Sequence, residues 1–344
     1  MGSNNMKVIN NDVIHENLLK REPLLRFDES VDFNDWKAQV REKFTKLLCL
    51  DEIAKNACEI KVEIEEEVKK DGYTRYRYTF ESEYDCTVPC YLLIPDTGKE
   101  KYPVLVCLQG HSAGFHISIG EYKFPGDERG LGTSTFALEA VKNGYAALCV
   151  EQRGMGERQP TTKERGHQDG EGCPCLYTAM TALLTGRTLL GERVWDVSKA
   201  IDSLSAFKGL DLDDISCVGN SGGGTATYYS ACFDERIKLA IPSCAICTYR
   251  DSIGDMWHCT CNYVPKMAKY FDMGELAALI APRKLMVVNG KADPIFPIEG
   301  AREVYSVVER IYKKAGAEGN CQLLEHEQKH FFDKVLIFGK IARN

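Results

Sequence analysis

Short apolar runs with little internal alternation recur along the chain, at Val104 to Leu108, Tyr145 to Val150, Ile215 to Val218, Lys238 to Ile241 and Leu285 to Val288. A strand with water on one face alternates polar and apolar residues, so runs of this kind describe strands covered on both faces. Helical stretches fall between them, at Thr135 to Lys142, Leu190 to Phe207, Thr225 to Phe233 and Gly300 to Lys314. This order predicts an α/β fold, a mostly parallel central sheet flanked by helices.

Upstream the pattern is different. Trp36, Val40, Phe44, Leu47 and Leu48 recur at helical spacing and predict an N-terminal helix over Asn34 to Leu50. Ile60, Val62, Ile64 and Val68 alternate with charged residues, Asp71-Gly72 supplies a turn, and Tyr76, Tyr78 and Phe80 alternate beyond it. An antiparallel hairpin extension follows from that arrangement. We therefore divide the chain into a helical extension over 1–58 and a catalytic domain over 59–344, with a lid or insertion expected at 159–185.

Composition excludes several classes of partner. With 43 basic and 50 acidic residues the net charge is −7, which offers no footprint for a nucleic-acid backbone. Met1 to Ser30 lacks the apolar stretch of a secretory signal, and no apolar run reaches the ~18–20 residues that span a membrane. A cytoplasmic protein is expected, and monomer and homo-oligomer both stay open. The 15 cysteines are an odd number and many lie inside apolar strands, as Cys107, Cys149 and Cys217 do, where a reduced thiol packs as a small hydrophobe. Close pairs occur at Cys173/Cys175, Cys244/Cys247 and Cys259/Cys261, the last beside His258. Because C-x-C is not the common zinc spacing and the one C-x-x-C, Cys244/Cys247, starts at a strand end, no metal centre is expected.

Two segments read G-x-S-x-G: Gly110 to Gly114, around Ser112, and Gly219 to Gly223, around Ser221. In such an elbow the serine sits on a sharp strand-to-helix turn, and the residues two before and two after it crowd together and must be small. Ser221 follows the strand Ile215 to Val218 and precedes a helical stretch, whereas Ser112 is followed by a glycine-rich loop. Ser221 is the expected nucleophile. The elbow's chain order of serine, acid and histidine is met by Asp293, just past the strand Leu285 to Val288, and His330, past the strand Gln322 to Glu325. Asp251 and Asp255 are alternative acids, and His326 is an alternative base. The Ser112 loop gains a different role, with the backbone N–H groups of His111 and Gly222 expected to form the oxyanion hole.

On these residues, and on Leu108-Gln109-Gly110-His111, Glu151 to Glu157 and Gly186 to Val197, the chain resembles bacterial α/β-hydrolases grouped with acetyl xylan esterases. The resemblance spans most of the chain and implies an α/β-hydrolase fold and a serine esterase acting on an acetyl or related ester of a small carbohydrate. The resemblance implies structural roles for Asp196 and Asp202. Arg153, at a strand end, is a candidate for holding a substrate carboxylate, with a structural ion pair as its competing role. Acyl transfer through a serine requires no organic cofactor. The competing functions are a peptidase of prolyl-oligopeptidase type and a non-catalytic α/β-hydrolase used as a binding module.

Overall fold

The computed structural model describes residues 12–112, 114–124, 127–159 and 175–342. Among them, nine strands form one sheet: β1 (Glu63–Lys70), β2 (Tyr73–Glu83), β3 (Cys86–Pro95), β4 (Tyr102–Leu108), β5 (Ala146–Val150), β6 (Leu210–Asn220), β7 (Ile237–Ser243), β8 (Lys284–Gly290) and β9 (Cys321–His326). Their spatial order is β1-β2-β3-β5-β4-β6-β7-β8-β9. The first three strands are antiparallel neighbours, β3 meets β5 antiparallel, and every later pairing is parallel.

The sequence pattern explains the two layers. In β4, Val104, Val106 and Leu108 enter one core while Leu105 and Cys107 enter the other, as period-two geometry requires of a strand covered on both sides. The helices Leu189–Ser203, Gly222–Phe233 and Ile298–Lys314 cover the first face. Phe136–Lys142 and the C-terminal Lys334–Ile341 cover the second, a face whose last helix the sequence reading did not anticipate. On the edge strand β1, seven of eight residues are exposed and most are charged, which discourages pairing with another chain.

The N-terminal helix Phe33–Leu47 is capped by Asp32, whose carboxylate accepts from the Asn34 and Asp35 amides. It buries Trp36, Val40 and Phe44 in the same core as β4, each contributing about 1.5–3 kcal/mol of hydrophobic stabilisation. Among the described residues, Cys107, Cys149 and Cys217 are buried free thiols inside strands. No described helix is long and apolar enough to cross a membrane.

What matters for function is where the strands stop. Register pairs Leu108 with Gly219, Asn220 with Ser243, and Gly290 with His326, so β4, β6, β7, β8 and β9 all end at one rim. The chain runs from β4 to β5 on one side and then returns past β4 to β6 on the other. That reversal opens a crevice at the strand C-termini, the place where open α/β sheets bind ligands. Of the expected lid, 160–174 lies outside the described residues, and Cys175–Leu184 is a helix.

Candidate active site

At the end of β6 the chain turns sharply into the Gly222–Phe233 helix through Ser221, which adopts φ 56°, ψ −125°. A non-glycine residue in this region is strained and persists only where its surroundings fix it. Two backbone bonds do so: Ser221 N–H donates to Ser243 O at 2.9 Å, and Thr225 N–H donates to Ser221 O at 2.9 Å. The flanking glycines are sterically required. A Cβ on Gly219 would lie 2.3 Å from Gly223 O, and one on Gly223 would lie 2.0 Å from Leu108 O. The same crowding brings the loop after β4 onto the elbow, since a Cβ on Gly222 would come 2.6 Å from His111 Cε1.

His330 and Asp293 meet across the loops that follow β9 and β8. His330 Nδ1 lies 2.9 Å from Asp293 Oδ2, while Asp293 Oδ1 accepts from the Ile295 and Phe296 amides at 2.8 and 3.1 Å. Burial alone would raise the Asp293 carboxyl, but the His330 ring and those amides outweigh it and hold the group below its ordinary value. The Phe296 ring lies nearly parallel to His330, with centroids 5.9 Å apart. Ser221, His330, His111, Ser112 and Trp257 all line one cavity of about 530 Å³.

The alternatives are placed elsewhere. Asp251 is held by Thr248 Oγ1 at 2.7 Å and by Arg250 at 2.7 and 2.8 Å, and Asp255 lines a neighbouring cavity. His326 is buried at the end of β9, with neither ring nitrogen hydrogen-bonded among the described residues. Ser112 reaches the cavity, yet its hydroxyl has no hydrogen-bond partner among the described residues, and the turn after it is the 3₁₀ segment Phe115–Ile119.

Of the two roles open to Arg153, the contacts fit the ion pair, and Arg153 is not among the residues that line the cavity. Its guanidinium is committed to Asp196 at 2.8 and 2.9 Å and to Glu83 at 2.6 Å, with Glu192 at 3.4 Å. Arg158 also binds Asp196 at 2.7 Å, and Arg187 binds Glu83 at 2.6 Å. Three arginines thus face three carboxylates, a balanced network that leaves Arg153 no charge for a ligand. Burial opposes ionisation of Asp196, but Arg153 and Arg158 together hold it well below the usual carboxylate range.

Spacing weighs each cysteine pair within its own segment, whereas the fold joins segments. The structure brings together His111, Cys175, Cys259 and Cys261, with one ligand-type atom from each and all four within 4.8 Å of one another. His258 is not in this cluster and instead pairs through Nδ1 with Asn262 Nδ2 at 2.8 Å. Cys173 lies outside the described residues, and Cys247 donates to Pro297 O. Three cysteines and one histidine are a recognisable ligand set, but the contributing segments lie more than sixty residues apart and no single-segment motif reveals them.

A nine-stranded, mostly parallel sheet with a strained serine between β6 and the following helix defines the class of fold: it is the α/β-hydrolase fold. Within that class, a model of the Abhydrolase family matches residues 2–172. YtaP of Bacillus subtilis, a protein named as a hydrolase, is 28% identical over 251 residues, covering 72% of this chain and 79% of YtaP. The 4-O-methyl-glucuronoyl methylesterase of Hypocrea jecorina is 28% identical over 184 residues, 42% of this chain and 40% of that enzyme. Among solved structures, an acetyl xylan esterase-type protein of Bacteroides fragilis superposes with TM-score 0.79 at 17% identity, covering 99% of this chain and 96% of its own.

Proposed function

We propose that the protein is a serine esterase that hydrolyses an acetyl or related ester of a small carbohydrate through an acyl-enzyme on Ser221. The observation that carries this reading is the Asp293–His330 hydrogen bond at the rim of the cavity that Ser221 lines. In this mechanism Asp293 fixes the imidazole through Nδ1 and leaves Nε2 to take the Ser221 hydroxyl proton. Ser221 Oγ adds to the ester carbonyl, and the amides of Gly222 and His111 hold the oxyanion, each such donor being worth ~2.7–4 kcal/mol. The C–O bond to the alcohol breaks as His330 returns the proton to the departing oxygen. Water, deprotonated by the same ring, then releases the acid and restores the serine.

Carbohydrate esters are favoured because the similar proteins carry acetyl xylan esterase and glucuronoyl esterase names, and because Trp257, 80% exposed, stands at the cavity as a surface for a sugar ring. Abundant free thiols fit a reducing compartment, so small esters inside the cytoplasm are the proposed substrates. A panel of acetylated sugars, methyl uronates, aryl acetates and dipeptide amides, run with wild type and Ser221→Ala, tests the reading. Ester turnover that disappears with Ser221→Ala is expected. Ester turnover that survives the substitution defeats the proposal, and turnover of amides alone moves the protein to the peptidases.

A further inference from the structure

The acyl transfer described above uses the His111 backbone amide but none of the side chains of His111, Cys175, Cys259 and Cys261, which the fold gathers into one cluster. His111 follows β4, Cys175 opens the Cys175–Leu184 helix, and in the loop after β7 Cys259 precedes, and Cys261 lies within, the 3₁₀ turn Thr260–Asn262. Cys261 Sγ lies 3.2 Å from Cys259 Sγ and 3.3 Å from His111 Nε2. Thiolates bound tetrahedrally to zinc at about 2.3 Å stand roughly 3.8 Å apart, so the four atoms already occupy nearly the volume that a coordination sphere needs. All three cysteines are buried.

Charge supplies the second observation. Arg193 is 1% exposed, and its hydrogen bonds run to Arg153 O at 3.0 and 2.7 Å and to Cys175 Sγ at 3.0 Å. A buried guanidinium needs a compensating negative charge, and among the described residues its side-chain partner is a sulfur and not a carboxylate. Three neutral thiols would leave it uncompensated. Three thiolates around a divalent ion, with one neutral imidazole, carry one net negative charge, which Arg193 balances as an outer-sphere partner.

We propose that His111, Cys175, Cys259 and Cys261 form a structural zinc site of Cys₃His type, with Arg193 neutralising the thiolate complex. Sulfur-rich tetrahedral sets select zinc over magnesium or calcium, and four protein ligands leave no open position, which marks a structural and not a catalytic site. The ion would staple the loop after β4, the helix beginning at Cys175 and the loop after β7 at the rim of the cavity. The site stands on its own geometry and does not depend on the esterase reading.

Metal content, not activity, tests it. The full-length protein, purified under reducing conditions, treated with Zn(II) and desalted, is expected to retain about one zinc per chain by elemental analysis. Replacing zinc with Co(II) should produce the thiolate-to-cobalt charge transfer and intense ligand-field absorption of a tetrahedral sulfur-rich site. Cys175→Ser and Cys259→Ser should each reduce retained zinc at least about tenfold, as second-sphere and ligand losses do, while the remote Cys321→Ser keeps it. The wild-type Co(II) spectrum decides independently of how either ligand variant folds. Wild-type protein that retains less than about a tenth of an equivalent of zinc and gives no such cobalt spectrum overturns the proposal, as does a disulfide among Cys175, Cys259 and Cys261 in the reduced preparation.

Discussion

His330 Nδ1 sits 2.9 Å from Asp293 Oδ2, and the other Asp293 oxygen is already occupied by the Ile295 and Phe296 amides. The carboxylate is therefore oriented by the backbone before it orients the imidazole. Asp293→Asn keeps the shape but presents an amide that cannot both satisfy those amides and accept from Nδ1–H. The imidazole is then driven to the wrong tautomer. We expect kcat on ester substrates to fall by roughly 10³–10⁴ with KM little changed. Asp251→Asn, which breaks only contacts to Thr248 and Arg250, should stay within a few-fold of wild type. Steady-state kinetics on both variants check this, and an equal loss in both would remove Asp293 from its role.

Gly223 carries the elbow's steric demand. A Cβ there would meet Leu108 O at 2.0 Å and Gln109 O at 2.5 Å, both backbone atoms that cannot swing aside. Gly223→Ala should push the loop after β4 off the elbow, lowering stability by about 1–3 kcal/mol or more and displacing His111 from Gly222. Gly132→Ala, where the added Cβ meets nothing within 4 Å, is the matched control and should be nearly silent. Thermal melts of the pair decide the matter.

Arg153 should behave as a structural residue. Arg153→Ala leaves Asp196 and Glu83 buried with fewer cations than carboxylates, a deficit that typically costs 3–5 kcal/mol. A lowered urea midpoint with unchanged KM in the folded fraction is expected. A raised KM at unchanged stability would restore the ligand-binding role.

Trp257 is exposed at the cavity and has little to lose in stability. If it forms the platform for a sugar ring, Trp257→Ala should raise KM for acetylated sugars by about two- to tenfold, the equivalent of ~0.5–1.5 kcal/mol of stacking, and leave aryl acetates closer to wild type. Equal effects on both substrate types would show that the indole does not discriminate.

Much of this molecule is written locally. The runs Val104 to Leu108 and Leu285 to Val288 became β4 and β8 because burial on both faces leaves a continuous apolar signature. Gly219 and Gly223 announced the elbow because no side chain fits there. The contacts that escaped are those made across the fold. Nothing in the spacing of Arg153 reveals that Glu83, seventy residues upstream, takes its guanidinium. The Lys334–Ile341 helix eluded the periodicity because it buries only Ile337, Phe338 and Ile341, too few positions to mark a face. Cys175 and Cys259 likewise look like two more buried thiols until the chain folds them against His111.

Glu151 provides the pH-dependent prediction. It is wholly buried at the end of β5, where its oxygens accept from Gln109 Nε2 at 3.2 Å and from the Phe115 and Glu157 amides at 3.3 Å each. Those bonds are long, and burial outweighs them, pushing the carboxyl up from 4.5 to about 8. An acid with a raised folded value holds its proton in the native state after the unfolded chain has released it. The Glu151 contribution to stability should therefore be greatest below about 4.5, fall as pH rises toward about 8, and level off beyond. Glu151→Gln removes this dependence, because Gln109 can turn its amide so that its otherwise unpartnered oxygen accepts from the new Nε2. In urea titrations, the stability difference between Glu151→Gln and wild type should shift in the variant's favour from pH 5 to pH 8, by on the order of a few kcal/mol. A difference that stays constant across that range would mean that Glu151 is ionised in the native protein, with its three donors outweighing burial.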